Sequence, residues 1–292
     1  MERRPTALHY FYENERLAQT PKKPFSKGIL GQGVCAGLAS CFQVYSGGIV
    51  LDTVSTRLQA RWPLRASLYG ANATSFRAWQ LFAGHAVVAV GRFPYLFATL
   101  ATYAQTERFV IASRPDGASL AARPKGAGEE AACIAASSVL GSALITVVEA
   151  PKVMAQLSGG AHSCASVARE FGLGRLLRGY EATLLRESVF QMALLGAPAL
   201  ARRCDASADA SSFVAGAVAG FLSNPADALK TKIQAGEYRG LGDAWRGTLR
   251  HGGLRPLWGV AACVRALYTA HAVLAVNFAR FRVEAGLDRL AS

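Results

Sequence analysis

Residues 225–234 read Pro225-Ala-Asp227-Ala-Leu-Lys230-Thr-Lys232-Ile-Gln234, and the chain holds two weaker copies of that spacing. One is Val50-Leu-Asp52-Thr-Val-Ser55-Thr-Arg57-Leu-Gln59, and the other is Val147-Val-Glu149-Ala-Pro151-Lys152-Val-Met154-Ala-Gln156. All three keep an acid and a glutamine seven residues later; two keep the base three after the acid, and one keeps the leading proline. A glycine after a bulky or basic residue follows each copy: Phe82-Ala83-Gly84, Leu177-Arg178-Gly179 and Trp258-Gly259. From acid to glycine the separations are 32, 30 and 32 residues. Two landmarks at nearly constant spacing mark a repeat architecture.

Each repeat reads as a long helix ending in the acid motif, a loop with a short helix, then a second long helix. This predicts helices near 29–59, 80–108, 129–157, 179–203, 210–235 and 259–285. The repeats then cover 29–113, 129–203 and 210–292, with connections at Arg114 to Glu130 and Arg202 to Asp209. Gly216 and Gly220 precede Pro225 by nine and five residues, whereas Gly37 precedes Val50 by thirteen. The fifth helix is therefore expected to be about one turn short.

The chain has 292 residues, with 32 Lys and Arg against 19 Asp and Glu, a formal charge of +13. A soluble nucleic-acid binder could carry that charge, but the uncharged stretches argue against one. Ile29 to Leu51 is 23 residues without a charge, Ala131 to Val148 is 18, and Ala210 to Ala226 is 17. These lengths approach the roughly 20 residues that cross a bilayer as a helix. They are rich in Gly, Ala and Ser, which suits close helix packing in lipid. Buried helices of a large soluble enzyme are the competing account. The six cysteines form no CxxC pair and read as small buried hydrophobes. Met1 to Lys27 has no apolar core and carries acids, so neither a secretory signal nor a cleaved presequence is expected; residues 1–28 read as a polar segment outside the membrane.

The sequence from Pro225 to Gln234 resembles the signature of the mitochondrial carrier family. Tyr238-Arg-Gly240-Leu-Gly-Asp243-Ala-Trp resembles the start of that family's matrix helix, and Gly252-Gly253-Leu-Arg-Pro-Leu-Trp258 its end. Arg178-Gly179-Tyr-Glu-Ala-Thr183-Leu-Leu-Arg186-Glu187 resembles the start of its fourth helix. The resemblance covers residues 28 to 285; it is strong in repeat three, fair in repeat two and weak in repeat one. It implies an all-α membrane protein of six transmembrane helices in three two-helix repeats, pseudo-threefold symmetric, in the mitochondrial inner membrane. It also implies a matrix gate made by Asp52, Glu149, Lys152, Asp227 and Lys230, braced by Gln59, Gln156 and Gln234.

Residue chemistry agrees with that role, since an acid and a base three apart share one helix face. Hydrated pairs worth about 0–1 kcal/mol each would suit a gate that must break. Ser55 stands where the third base is expected, so at most two bridges should form, and one carboxylate needs water or a hydroxyl. Arg57, five residues from Asp52, lies on a different face. Of the kink prolines only Pro225 is in place; Pro151 would move a second kink about one turn on. On the opposite side the even helices lack the family's aromatic–acid pairs, so a second gate is not expected.

Arginines fall within one position of the same depth in all three repeats: Arg92, Arg186 and Arg265. Charges inside a membrane usually face water or a partner. Three guanidinium groups would attract carboxylate or phosphate, or they pair with acids or lipid headgroups. The resemblance places Arg186-Glu187 at a substrate contact point, similar to carriers of amino acids. It also makes Arg178, Gly179, Tyr238 and Gly240 lipid-binding turns for cardiolipin, against plain helix-start glycines. No cofactor, metal site or catalytic arrangement emerges, the five histidines being isolated from HExxH spacing. Two functions compete: a carrier of a small anionic or zwitterionic metabolite, and a transport-impaired carrier fold serving as a structural subunit of a respiratory or ATP synthase complex.

Overall fold

The computed structural model describes residues 29–69, 78–115, 125–158, 164–203 and 208–291. The polar segment 1–28 and parts of both connections between repeats lie outside them. Among the described residues the chain is helical throughout, with no strand. The helices are α1 (Ile29–Gln43), α2 (Ile49–Gln59), α3 (Leu64–Tyr69), α4 (His85–Ala112), α5 (Ala127–Leu157), α6 (Cys164–Leu176), α7 (Tyr180–Arg203), α8 (Ala208–Gln234), α9 (Leu241–Gly252), α10 (Arg255–Trp258) and α11 (Val260–Ala291). All six expected long helices are present. α11 runs beyond its expected end, and α5 begins at Ala127, inside the expected connection.

α1 and α2 form one bent rod, broken by a π-turn at Val44–Gly48. Ser46 and Gly47 leave helical geometry there, and Gly47 has φ +103°, a region glycine enters without steric cost. A Cβ on Gly48 would lie 1.9 Å from the Gln43 amide, so the turn also needs a bare backbone at that position. Repeat one therefore bends just before Val50, where the kink proline is missing, by a device that the proline pattern does not reveal. Pro151 and Pro225 lie inside α5 and α8. α8 is described over 27 residues and α5 over 31.

Helix neighbours follow a closed circuit: α1 packs on α4, α4 on α5, α5 on α7, α7 on α8, α8 on α11, and α11 back on α1. Small residues let these rods approach. A Cβ on Gly91 would meet the Val148 methyls at 2.5 Å, and one on Gly216 would meet the Thr269 carbonyl at 2.7 Å. α2, α5 and α8 also touch one another at the end that bears the acid motifs. Beside it, Ala182, Leu229, Ile233, Ala244 and Leu257 form an apolar cluster where α7 to α10 meet.

The outer surface carries many large apolar side chains, and charged groups lie inside beside the apolar core. Val90, Phe109, Val139, Leu140, Met192, Phe213, Val214 and Val260 point outward, while Asp52, Arg57, Lys152, Arg186, Asp227 and Lys230 are buried. Ionised groups are almost never fully buried unless paired, and wide apolar surface marks a lipid or partner face. Among the described residues three stretches are long and apolar enough to cross a membrane: Gln80–Ala112, Gly128–Leu157 and Arg255–Val276.

Candidate functional site

The acid-motif ends of α2, α5 and α8 converge because each helix turns the same face inward. Acid and base three residues apart then stand one turn apart on that face, and each base reaches the acid of the next helix. Lys152 Nζ lies 2.8 Å from Asp52 Oδ2, which joins α5 to α2. Lys230 Nζ lies 3.0 Å from Glu149 Oε2, which joins α8 to α5. The same lysine also reaches its own Asp227 at 2.7 Å. The third place in the circuit falls to Ser55, whose buried hydroxyl has no hydrogen-bond partner.

Asp227, the carboxylate nearest the place of Ser55 in the circuit, is held by several protein groups besides Lys230. The Gln59 amide donates to its Oδ2 at 2.7 Å. Arg186 Nη1 lies 3.5 Å from Oδ1, and Arg265 Nε lies 3.5 Å from Oδ2. The site is closed: the side chains of the ring keep 3–10% of their exposure. The bridges are therefore buried rather than hydrated, and burial makes such pairs costly to break by halves.

Two of the three glutamines act as braces. Gln156 Nε2 donates to Asp52 at 3.2 Å and to Thr53 Oγ1 at 3.1 Å. Gln59 also donates to Asn224 Oδ1 at 3.1 Å and accepts from Thr231 at 2.7 Å. Gln234 is buried, but neither atom of its amide has a partner, so it braces nothing in this arrangement. Arg57, as expected, makes no bond to the ring. It donates to three carbonyls, those of Gln156 and Ser67 at 3.0 Å and of Gln80 at 3.2 Å, and clasps the loops after α2 against the end of α5.

All four residues singled out as substrate contacts come together above the ring. Arg186 Nη1 lies 2.9 Å from Glu149 Oε1, and Arg186 also pairs with the adjacent Glu187. Arg265 Nη1 lies 3.5 Å from Asp52 Oδ1. Arg92 donates to Gln43 Oε1 at 2.9 Å and to Tyr268 Oη at 2.7 Å. The Arg265 guanidinium stacks on the Tyr268 ring at 4.9 Å, so one tyrosine links two arginines. Tyr95 Oη donates to Glu187 Oε2 at 3.0 Å. The tyrosines were not anticipated, although a signal exists: Arg92 and Arg265 are each followed three residues on by Tyr95 and Tyr268, one turn along the same face. Arg186 and Arg265 are thus engaged by the ring carboxylates and, for Arg186, Glu187, while Arg92 donates to neutral acceptors.

At the end of α2, Arg61 and Trp62 close the helix into α3. At the far end of the bundle, Lys125 pairs with Glu107 and with Glu130 at 2.9 Å, and Arg114 with Glu129 at 2.8 Å. Tyr103 donates to Glu130 at 2.6 Å. These contacts tie α4 and the residues that follow it to the start of α5.

Arg178, Gly179, Arg239 and Gly240 line a groove of about 600 Å³ between the starts of α7 and α9. Gly179 has φ +84° and Gly240 caps α9, so two helix N-termini face one space, a setting that favours anions. Tyr238 stands behind this groove: its ring packs on Gly247, and its carbonyl accepts from Arg178 at 2.7 Å. It positions the arginine rather than lining the groove.

No protein-family model matches the chain, and no curated protein matches its sequence.

Proposed function

We propose that the chain is a membrane transporter of the mitochondrial carrier type, with three repeats and six spans in the mitochondrial inner membrane. It moves a small anionic or zwitterionic metabolite, a carboxylate or an amino acid, by alternating access. The observation that carries this reading is the relay of bases to the acids of neighbouring helices, Lys152 to Asp52 and Lys230 to Glu149. A gate of this kind must be specific yet breakable. Buried pairs meet both needs, because desolvation cancels much of their attraction while a wrong pairing leaves a charge stranded. Above the gate, Arg92 offers a guanidinium to a carboxylate, and Glu187, held by Tyr95 and Arg186, offers a carboxylate to an ammonium. Cardiolipin fits the groove at Arg178, Gly179 and Gly240, where two helix N-termini can each take one phosphate.

Purified full-length protein in liposomes should take up at least one labelled carboxylate or amino acid with saturation. No uptake of any carboxylate, amino acid, phosphate or nucleotide would overturn the transport reading. A second reading, a carrier fold retained as a structural subunit of a respiratory or ATP synthase complex, is favoured by one observation. Arg186 and Arg265 are held by gate carboxylates, which strengthens closure and weakens solute capture. Stoichiometric co-purification with such a complex, together with absent uptake, would select it.

A further inference from the structure

The ring has three seams, and lysine closes two of them. Lys152 joins α5 to α2, and Lys230 joins α8 to α5. The seam between α8 and α2 needs a cation that reaches both Asp227 and α2. Ser55, at the symmetric position on α2, carries no charge, and its buried oxygen is unpartnered. Arg265 enters this gap from α11. Its Nε lies 3.5 Å from Asp227 Oδ2 and its Nη1 3.5 Å from Asp52 Oδ1, so one guanidinium spans an acid of α8 and an acid of α2. The side chain keeps 8% of its exposure. Two features hold it there: Tyr268 supports its plane, and α11 is pressed close to α8, with Gly216 and Gly220 against Thr269.

We propose that Arg265 is the third cation of the ring, standing in from a neighbouring helix for the base absent at Ser55, and is a gate-positioning residue rather than a solute contact. The proposal deepens the gate reading above and rests on it for the transport consequence alone. Its two contacts are longer than those of the lysines, and the α2–α8 seam is held as well by Gln59, which bonds Asp227, Asn224 and Thr231. The relay of ion pairs is restored to a closed circuit, Asp52 to Lys152 to Glu149 to Lys230 to Asp227 to Arg265 and back to Asp52. Its geometry is no longer threefold, because the last member comes from an even helix.

The test moves the charge back to α2. In purified full-length protein in detergent, Arg265→Gln should lower the unfolding temperature by roughly 5–10 °C, the scale of losing one member of a buried network. Adding Ser55→Lys to that variant should recover most of the loss, while adding Ser55→Met should not. Recovery by methionine, or none by lysine, overturns the proposal. If Arg265→Gln does not fold by itself, Ser55→Lys is made first; a Ser55→Lys, Arg265→Gln protein that still fails to fold also overturns it. In liposomes the rescued double variant should recover uptake along with stability; stability without uptake would return Arg265 to solute contact and refute the proposal. Absent uptake by the native chain would count against the carrier reading, and the unfolding temperatures would still decide the role of Arg265.

Discussion

Replacing Lys152 by methionine tests whether the ring couples helices or merely decorates them. Lys152 Nζ lies 2.8 Å from Asp52 Oδ2, and the two side chains keep 6% and 4% of their exposure. At an effective dielectric constant of about 20, unit charges at that distance attract by roughly 6 kcal/mol. Desolvation of the ammonium cancels part of this, and truncating one member of a buried pair costs about 3–5 kcal/mol. Asp52 would keep Arg265 at 3.5 Å and the Gln156 amide at 3.2 Å, which places the loss at the lower end. A loss of about 3 kcal/mol corresponds to roughly 6–12 °C in a chain of this size. The assay is thermal unfolding in mild detergent of the native protein, Lys152→Met, Asp52→Asn and the double variant. The double variant should be more stable than the summed single losses predict by about 2 kcal/mol, the signature of a direct contact. Losses that add within about 0.5 kcal/mol would refute the reasoning. The seam between α2 and α5 would then rest on packing and on the Gln156 and Arg57 hydrogen bonds, and the spacing of acid and base would carry no gate.

The glutamines should behave unequally despite their equivalent places in the repeat. Gln59→Ala breaks bonds to Asp227, Asn224 and Thr231 and should cost about 2–3 kcal/mol in thermal unfolding, whereas Gln234→Ala should be close to neutral or stabilising. Equal losses would contradict this arrangement of the ring. Gly216→Ala drives a methyl into the α11 backbone, 2.7 Å from the Thr269 carbonyl, and should cost about 1–3 kcal/mol; Gly174→Ala meets open space and serves as the tolerated control. Arg57→Lys should destabilise nearly as much as Arg57→Met, since three carbonyls around one fork cannot be met by a single ammonium; a silent Arg57→Lys would argue against the clasp.

The long helices and the meeting of Asp52, Glu149 and Asp227 were legible because both follow from spacing. Helix length is written in uncharged stretches, and shared faces are written in the three-residue step from acid to base. What spacing cannot express is which neighbour fills a gap. Ser55 announces a missing cation, and the sequence alone then points to water or a hydroxyl, since these are the nearest local remedies. The remedy instead comes from Arg265, 210 positions along the chain, and from Gln59, one turn beyond Ser55. The bend of repeat one was hidden for a related reason. The pattern reports an absent proline at Val50, but the backbone bends at Gly47, whose left-handed geometry leaves no periodic trace. Both surprises fall in repeat one, where the motif is most eroded. Both supply what the better-kept copies lead one to expect there, a bend before Asp52 and a cation at the α2–α8 seam. Without these replacements Asp227 would keep Lys230, Gln59 and Arg186 but lose the cation that also reaches Asp52, and the first rod would lack its turn at Gly47. A cation drawn from α11 and a glycine turn three residues before Val50 both act where the motif lacks its own residue, so this end of the bundle keeps a bend and a charge partner without the proline and the base.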